Sequence, residues 1–428
     1  MRSDLRRLTL AGLAAAALAL PAGCGDDQEP LRVGVLVECT GILKAFDDAT
    51  FAGAELPIKE RDGSAGGRPV ELVKGCEEIG STTPLIVETR RLIEDEDVDV
   101  IVGPVGETEG LLMRKLAARY PDVTFLLAAS ATQEVTLRDA QPNVFRFSAD
   151  AAQAAAGLAS YAYHDLGWRR AAVAFDYPAS SWASTAGFVA EFCSLGGTVD
   201  SQGAFIATRA DRGLAKQLAR EADGVFLTDG FYSAAEFLRA YDDQVQRLPA
   251  RLVLNGYWLS QPHQLAPNGV DLSGVVVGGD IPYDSDRPEW RRYLRAYAEA
   301  FPDLPRGSAE DLLVIPYYLS VEALARALDE VDGEIGPRGG ALRSARARVK
   351  FVGPTGPIRL DANRQAIVSV HLRRLSARGD RVTVTTRPFR IIKQVDESYG
   401  GRFTPRAPVP SPFALDCRDG DPPPWAHG

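Results

Sequence analysis

Apolar residues in this chain fall into short continuous runs, and stretches of helical spacing separate them. Leu31–Val37 is apolar at every position but Arg32 and Gly34, which predicts a buried strand. Phe46–Arg61 then reads as a helix with Pro57 inside it, and Val70–Lys74 as a second strand. Thr83–Asp95 places Ile86, Arg90 and Ile93 at helical spacing, with Thr82 or Thr83 as cap and Pro84 in the first turn. Val98–Val102 is a strand running into Gly103-Pro104, Glu109–Tyr120 a helix, and Val123–Leu127 a strand. After an Ala-rich helix over Asp150–Leu166, the alternation restarts. Strands are expected at Ala171–Phe175, Thr198–Phe205, Gly224–Thr228, Arg251–Leu254 and Val275–Val277. Helices are expected at Ser181–Leu195, Leu214–Glu221 and Ser233–Gln244. Two more helices follow, Pro288–Phe301 and Ala309–Val331, the second kinked at Pro316. Ile367–Arg374 and Val382–Thr386 read as an antiparallel pair, and the Pro-rich tail from Thr404 reads as an irregular surface segment. Strand–helix alternation of this kind predicts α/β architecture with parallel sheets covered on both faces, in two halves.

The first residues do not fit that pattern. Arg2, Arg6 and Arg7 precede an apolar run of 13 residues, Leu8–Leu20, too short to span a membrane comfortably. Ala22, Gly23 and Cys24 follow, then the polar stretch Gly25–Pro30. This is the layout of a secretory signal over 1–23. Its Ala-Gly-Cys ending resembles a bacterial lipoprotein signal, in which the Cys is lipidated; Pro21 stands where that motif usually carries Leu. Ordinary cleavage near Ala22, leaving Cys24 a spare thiol, is the alternative. Losing 1–23 removes a net +2 and takes the formal charge from −9 to −11. The expected product is an exported chain held to a membrane by lipid at most. In an oxidising compartment the four remaining cysteines suggest disulfides. Cys39 and Cys76 lie just past the first two strands, which as parallel neighbours would place them side by side. That leaves Cys193 with Cys417, pinning the tail to a helix. A metal site is the lesser alternative.

Composition narrows the function. The 45% hydrophobic fraction rules out global disorder, and 428 residues favour two domains or more. The acidic balance argues against nucleic-acid binding. Four His (His164, His263, His371, His427) are scattered, so a His-based metal site or His-driven nucleophilic catalysis is disfavoured. No Gly-x-Ser-x-Gly, Gly-x4-Gly-Lys-Ser/Thr, His-Glu-x-x-His or Cys-x-x-Cys motif occurs. Gly63–Gly67 is glycine-rich but sits between helix and strand, the wrong order for a dinucleotide turn. The simplest account is a protein that binds without catalysing, with no cofactor and no metal.

The ordered series of motifs resembles a family. LRVGVLVECTG…FAGAELPIKERDGSAGGRPVELV, VDVIVGPVGETEG, LLAASATQEVTL, NVFRFSADAAQAAAGLASYAYHDLGWRRAAVAFDY and GPTGPIRLDANRQA together resemble type I solute-binding proteins of the branched-chain amino-acid ABC transporter class. The match runs over about 31–393. In the last motif Leu360 replaces a Phe, and Arg364-Gln365 replaces Asn-Gly. The resemblance implies two doubly wound, Rossmann-like lobes with parallel central sheets joined by a three-stranded hinge, the periplasmic binding protein-like I fold. One lobe would be 31–148 plus 279–345, the other 149–278 plus 346–395, with a tail at 396–428. Such a protein closes on a small ligand and delivers it to a membrane ABC permease, as a monomer.

The resemblance also implies a site at the carboxyl ends of the strands. Where the family carries a carboxylate-binding Ser, this chain has Gly106 or Glu107, followed by Thr108. An acid there repels a carboxylate and attracts an ammonium; a plain helix-start charge is the other reading. Ser130, Ala131 and Thr132 match the family's backbone-and-hydroxyl clamp, although a helix N-cap would look the same. Tyr177 and Trp182 fall near an aromatic stacking position, where ordinary packing is the alternative. Asp229, Tyr232 and Tyr257 end later strands. Asp229 or Glu107 would replace the family's usual acidic ammonium partner, and Glu38 is a weaker candidate. Trp290, Tyr317 and Tyr318 read as core. The expected ligand is an amino acid or similar small polar metabolite. A ligand-sensing receptor without a transporter and an exported α/β enzyme are the rival classes.

Overall fold

The apolar runs assemble into two sheets. The computed structural model describes residues 28–176, 179–204, 211–228, 234–256, 270–283, 285–305, 307–378, 381–385, 387–406, 417 and 420–426. The first sheet is built from β1 (Leu31–Glu38), β2 (Ser64–Ala65), β3 (Arg68–Glu77), β4 (Val100–Val102), β5 (Thr124–Leu127) and β6 (Val144–Arg146), in the order β2-β3-β1-β4-β5-β6. Every pairing is parallel except that of β2 with β3, a hairpin turned by Gly66 and Gly67, both at positive φ. Strand alternation sorts the side chains of β1. Val33, Val35 and Val37 pack toward helices Asp47–Lys59 and Ile315–Glu330, and Leu36 packs toward Leu85, Leu92 and Met113 on the other face.

The second sheet takes β7 (Arg170–Phe175), β8 (Thr198–Ala204), β9 (Gly224–Leu227), β10 (Leu252–Asn255), β11 (Val276–Gly279), β12 (Lys350–Gly353), β13 (Gly356–Leu360) and β14 (Ala366–Arg378), in the order β12-β13-β14-β11-β10-β9-β7-β8. β15 (Arg381–Val384) and β16 (Arg390–Val395) both pair with β14. From β8 to β11 the pairing is parallel, while β14 runs antiparallel to β11, so this sheet is mixed. Val173, Phe226 and Val253 pack toward Phe188 and Phe192; Ala172, Val225 and Leu254 pack toward Leu218, Phe237 and Tyr241. Between these two sets of strands, the chain returns to the first sheet. Tyr317 donates to the Leu36 carbonyl at 2.5 Å, Tyr297 to the Ala49 carbonyl at 3.0 Å, and Arg346 to the Thr124 hydroxyl at 2.8 Å. The result is two α/β lobes built from interleaved parts of one chain.

Several expectations need correction. The helix after β3 starts at Thr82 with Ser81 as its cap residue, and no side chain caps it. The Ala-rich stretch is not one helix. Helical turns cover Ala151–Ala154 and Leu158–Ser160, then a wide turn covers Tyr161–Asp165. Gly157 breaks it with φ +83°, and a Cβ there would meet Ile392 at 2.5 Å. The Glu191 carboxylate accepts the Gly157 and Ser160 N–H groups at 3.0 and 2.8 Å, replacing bonds the helix gives up. Pro316 does not kink a long helix. A 3-10 turn at Ser308–Glu310 precedes helix Ile315–Glu330, and Pro316 lies in the first turn, where its missing N–H does no harm.

Both disulfides are present. β1 and β3 pair with Val37 opposite Cys76, which brings Cys39 and Cys76 to a Cα separation of 5.2 Å. Cys193–Cys417 closes at 5.4 Å. The described part of the tail is mostly exposed, and its end is anchored: Pro423 and Ala426 are buried and Trp425 meets Tyr399 edge-on. Among the described residues no helix is long and apolar enough to cross a membrane. Trp290, Tyr317 and Tyr318 are core, as expected.

Candidate functional site

In both sheets the strand order reverses beside the first strand of the lobe, between β1 and β4 and between β7 and β9. Loops leaving the carboxyl ends there diverge and open a crevice. On the first lobe, Gly106 caps helix Glu107–Arg119, which begins two residues earlier than its apolar spacing indicates. Glu107 therefore stands in the first turn, where the helix dipole favours an acid. It is buried; its carboxylate accepts the Ala131 N–H at 3.2 Å and the Thr132 hydroxyl, which also lies 3.1 Å from the Glu107 carbonyl oxygen. Burial pushes the Glu107 pKa up, against the bonds from Thr132 and Ala131 and the charge of Arg146.

Glu107, Ala131 and Thr132 thus come together, along with Gly106 at the helix cap. Thr108 is exposed on the next position. The Ser130 hydroxyl is buried against the Cα of Gly110, where a Cβ would approach it to 2.0 Å. Trp182 is half-buried on helix Ala179–Ser194, and its indole N–H has no partner among the described residues. Next to it, Ala183 packs with Ala131 and Ala151. Tyr177, Asp229, Tyr232, Tyr257 and Cys24 lie outside the described residues.

Glu38 ends β1, and its carboxylate accepts the Leu43 N–H at 3.1 Å, fastening the turn that follows. Two further acids of the same rim escape sequence reasoning. Glu77 accepts the Val105 N–H at 2.7 Å, and Glu109 accepts the Gly80 N–H at 3.1 Å. All three are buried, and burial raises each pKa, that of Glu77 to about 8. The available signal is position: each Glu sits where a strand ends or a helix starts, beside loop N–H groups that lack a sheet partner.

A cleft opens between the lobes, with about 570 Å3 of atom-free space counting the part open to solvent. Ala129 and Ala131 line it from the first lobe and Gly256 from the end of β10. Ser148–Asp150 and Gly279–Ile281 line it from the two connections, with Tyr283 nearby. Leu312, Ile315, Pro316 and Leu319 form an apolar wall. Asp150 heads a reciprocal cap in which it accepts the Gln153 N–H at 2.8 Å and Gln153 accepts the Asp150 N–H at 2.9 Å. Burial lifts the Asp150 pKa to about 7, partly offset by the charge of Arg146. Asp280, pushed up by burial as well, and Tyr283 complete the polar part of the lining. Sequence reasoning missed Asp150, Asp280 and Tyr283, because nothing local marks two separate connections as neighbours.

Behind the cleft the lobes share a buried polar network. Arg146 donates to the Thr132 carbonyl at 2.6 Å and to the Gln365 amide oxygen at 3.0 Å, and Gln365 donates to the Ser148 carbonyl at 2.7 Å. Gln153 donates to the carbonyls of Ala366 and Val395 at 2.8 and 2.9 Å. These are crossing points of the chain, so the network sets how the lobes meet. Among the described residues no group of three or more His, Cys, Asp or Glu could hold a metal ion.

The comparisons agree with this geometry. No curated protein matches the chain significantly. Among solved structures, an ABC transporter substrate-binding protein from Sphaerobacter thermophilus is 26% identical with a TM-score of 0.74, covering 86% of this chain and 99% of that one. A solute-binding protein from R. palustris in complex with benzoate is 23% identical with a TM-score of 0.68, covering 84% and 97%. A leucine-binding protein from Thermotoga maritima is 20% identical with a TM-score of 0.68, covering 85% and 99%. The periplasmic binding protein profile matches residues 30–380. The chain belongs to the periplasmic binding protein family, as an ABC transporter substrate-binding protein of type I fold, a solute binder and not an enzyme.

Proposed function

We propose that the mature chain is an extracytoplasmic lipoprotein, anchored through Cys24, that captures a small polar metabolite bearing an amino group. It then presents that metabolite to its membrane permease as a monomer. One observation carries the reading: a cleft with an apolar wall and a few convergent polar groups lies between two lobes, at the connections where they hinge. The lobes in this proposal are 31–148 plus 279–345 and 149–278 plus 346–395, with 396–428 as tail. Gly106, Glu107, Ala131 and Thr132 form the first-lobe edge of the site. Trp182, whose indole N–H has no partner among the described residues, supplies the facing edge together with Tyr177, Asp229, Tyr232 and Tyr257. Ligand binding favours the closed arrangement because only closure lets both edges touch the ligand at once.

A thermal-shift screen of amino acids and small metabolites tests this. At least one compound raises the Tm in proportion to the logarithm of its concentration above Kd. Trp182→Ala removes that shift while leaving the unliganded Tm near wild type. A blank across a broad panel would end the solute-binding proposal for this chain, and unchanged affinity in Trp182→Ala would misplace the second-lobe edge.

A further inference from the structure

Resting on the solute-binding reading, the cleft itself narrows the ligand class. Its lining holds two carboxylates, Asp150 and Asp280, and the Tyr283 hydroxyl; no Lys, Arg or His lines it among the described residues. Asp150 is fully buried: one carboxylate oxygen caps the following turn, and the other, Oδ2, has no partner among the described residues. The Tyr283 hydroxyl is also buried without a partner among the described residues. Arg146 acts on Asp150 by its charge alone, since its Nη1 and Nη2 atoms are bonded to Gln365 and to the Thr132 carbonyl. The cleft therefore holds unused acceptors next to a wall of Leu312, Ile315 and Leu319.

The first-lobe edge points the same way. A backbone N–H and a hydroxyl at the end of a strand are ready donors for an anion, but the Ala131 N–H and the Thr132 hydroxyl already hold the Glu107 carboxylate. An incoming carboxylate would have to displace Glu107 and would meet Asp150 and Asp280. We infer that the cleft takes an organic cation, a protonated amine on an apolar body, with its N–H groups on Asp150, Asp280 and Tyr283, and that it excludes free carboxylates.

Two near-isosteric probes of opposite charge, phenethylamine and phenylacetate, test this by calorimetric titration, with putrescine as a further cation and leucine and benzoate as further acids. At least one cation binds the wild-type protein, and none of the carboxylates does. Asp150→Asn keeps the cap, because Asn caps as well as Asp, and weakens the bound cation about tenfold or more. Should that variant fail to fold, Asp280→Asn reads the same loss. Glu107→Ser frees the two donors, and phenylacetate or benzoate then binds. Binding of a free carboxylate to wild type, or cation binding that survives both Asp substitutions, overturns this inference and leaves the solute-binding reading standing. Binding of no probe and no metabolite ends both.

Discussion

Replacing Glu191 with Ala should unfasten the C-terminal tail from the second lobe. Glu191 is fully buried, and its carboxylate accepts five hydrogen bonds. Gly157 N–H donates at 3.0 Å, Ser160 N–H at 2.8 Å and the Ser160 hydroxyl at 2.5 Å. The Tyr399 hydroxyl donates at 2.9 Å and the Trp425 indole N–H at 3.0 Å. The two hydroxyls can rotate toward other acceptors after substitution. The two backbone N–H groups and the indole cannot, and each buried orphan costs ~1–3 kcal/mol. Relief of the carboxylate's own desolvation returns part of this, so a net loss of about 3 kcal/mol is expected. Urea denaturation followed by tryptophan fluorescence measures it. The pair is isolated by a double-mutant cycle with Trp425→Phe, in which a coupling of about 1 kcal/mol is expected. A Glu191→Ala loss under ~1 kcal/mol, or a coupling near zero, would refute the idea that this carboxylate organises the segment.

The remaining predictions concern the same framework. Breaking Cys39–Cys76 with a double Ser substitution releases a 37-residue separation and should lower stability by about 4 kcal/mol on the loop-entropy estimate, read from denaturant midpoints; an unchanged midpoint contradicts it. Gly157→Ala forces a side chain into φ +83° and onto Ile392, for a loss of ~1–3 kcal/mol, and a neutral result would mean the helix break is not glycine-dependent. Burial raises Glu77 to about 8, Glu397 to about 8 and Asp150 to about 7, so between the ordinary carboxylate pKa and pH 8 the folded state holds more protons than the unfolded one. Stability from these groups is therefore greatest below the ordinary carboxylate pKa, about pH 4, and falls steadily from there toward pH 8, and Glu77→Gln should flatten that slope in denaturation series; a rise toward pH 8 contradicts the assignment.

Much of the fold was legible because β1, β4 and β9 are short apolar runs with helical stretches after them, and burial on both faces leaves little else for such runs to do. The pairing of Cys39 with Cys76 was legible because adjacent parallel strands end side by side. The three-residue β6 was missed, being too short to show a period, and so was the hairpin of β12 and β13 at the edge of the second sheet. Asp150–Leu166 looked like one helix because its composition favours helix, whereas Gly157 answers to Ile392 and Glu191, both far away in sequence. At the site, the sequence placed Glu107 beside the Ala131-Thr132 loop but could not show that its own carboxylate fills those donors. Asp150 and Asp280 lie 130 positions apart, and only the crossing of the two connections makes them one lining.

The most direct test of the central claim is native mass spectrometry of the exported protein, purified from its own envelope without denaturation. A solute-binding protein carries one small organic molecule at 1:1 stoichiometry, lost on unfolding and regained from a metabolite extract. A protein that emerges empty and stays empty after incubation with that extract contradicts it.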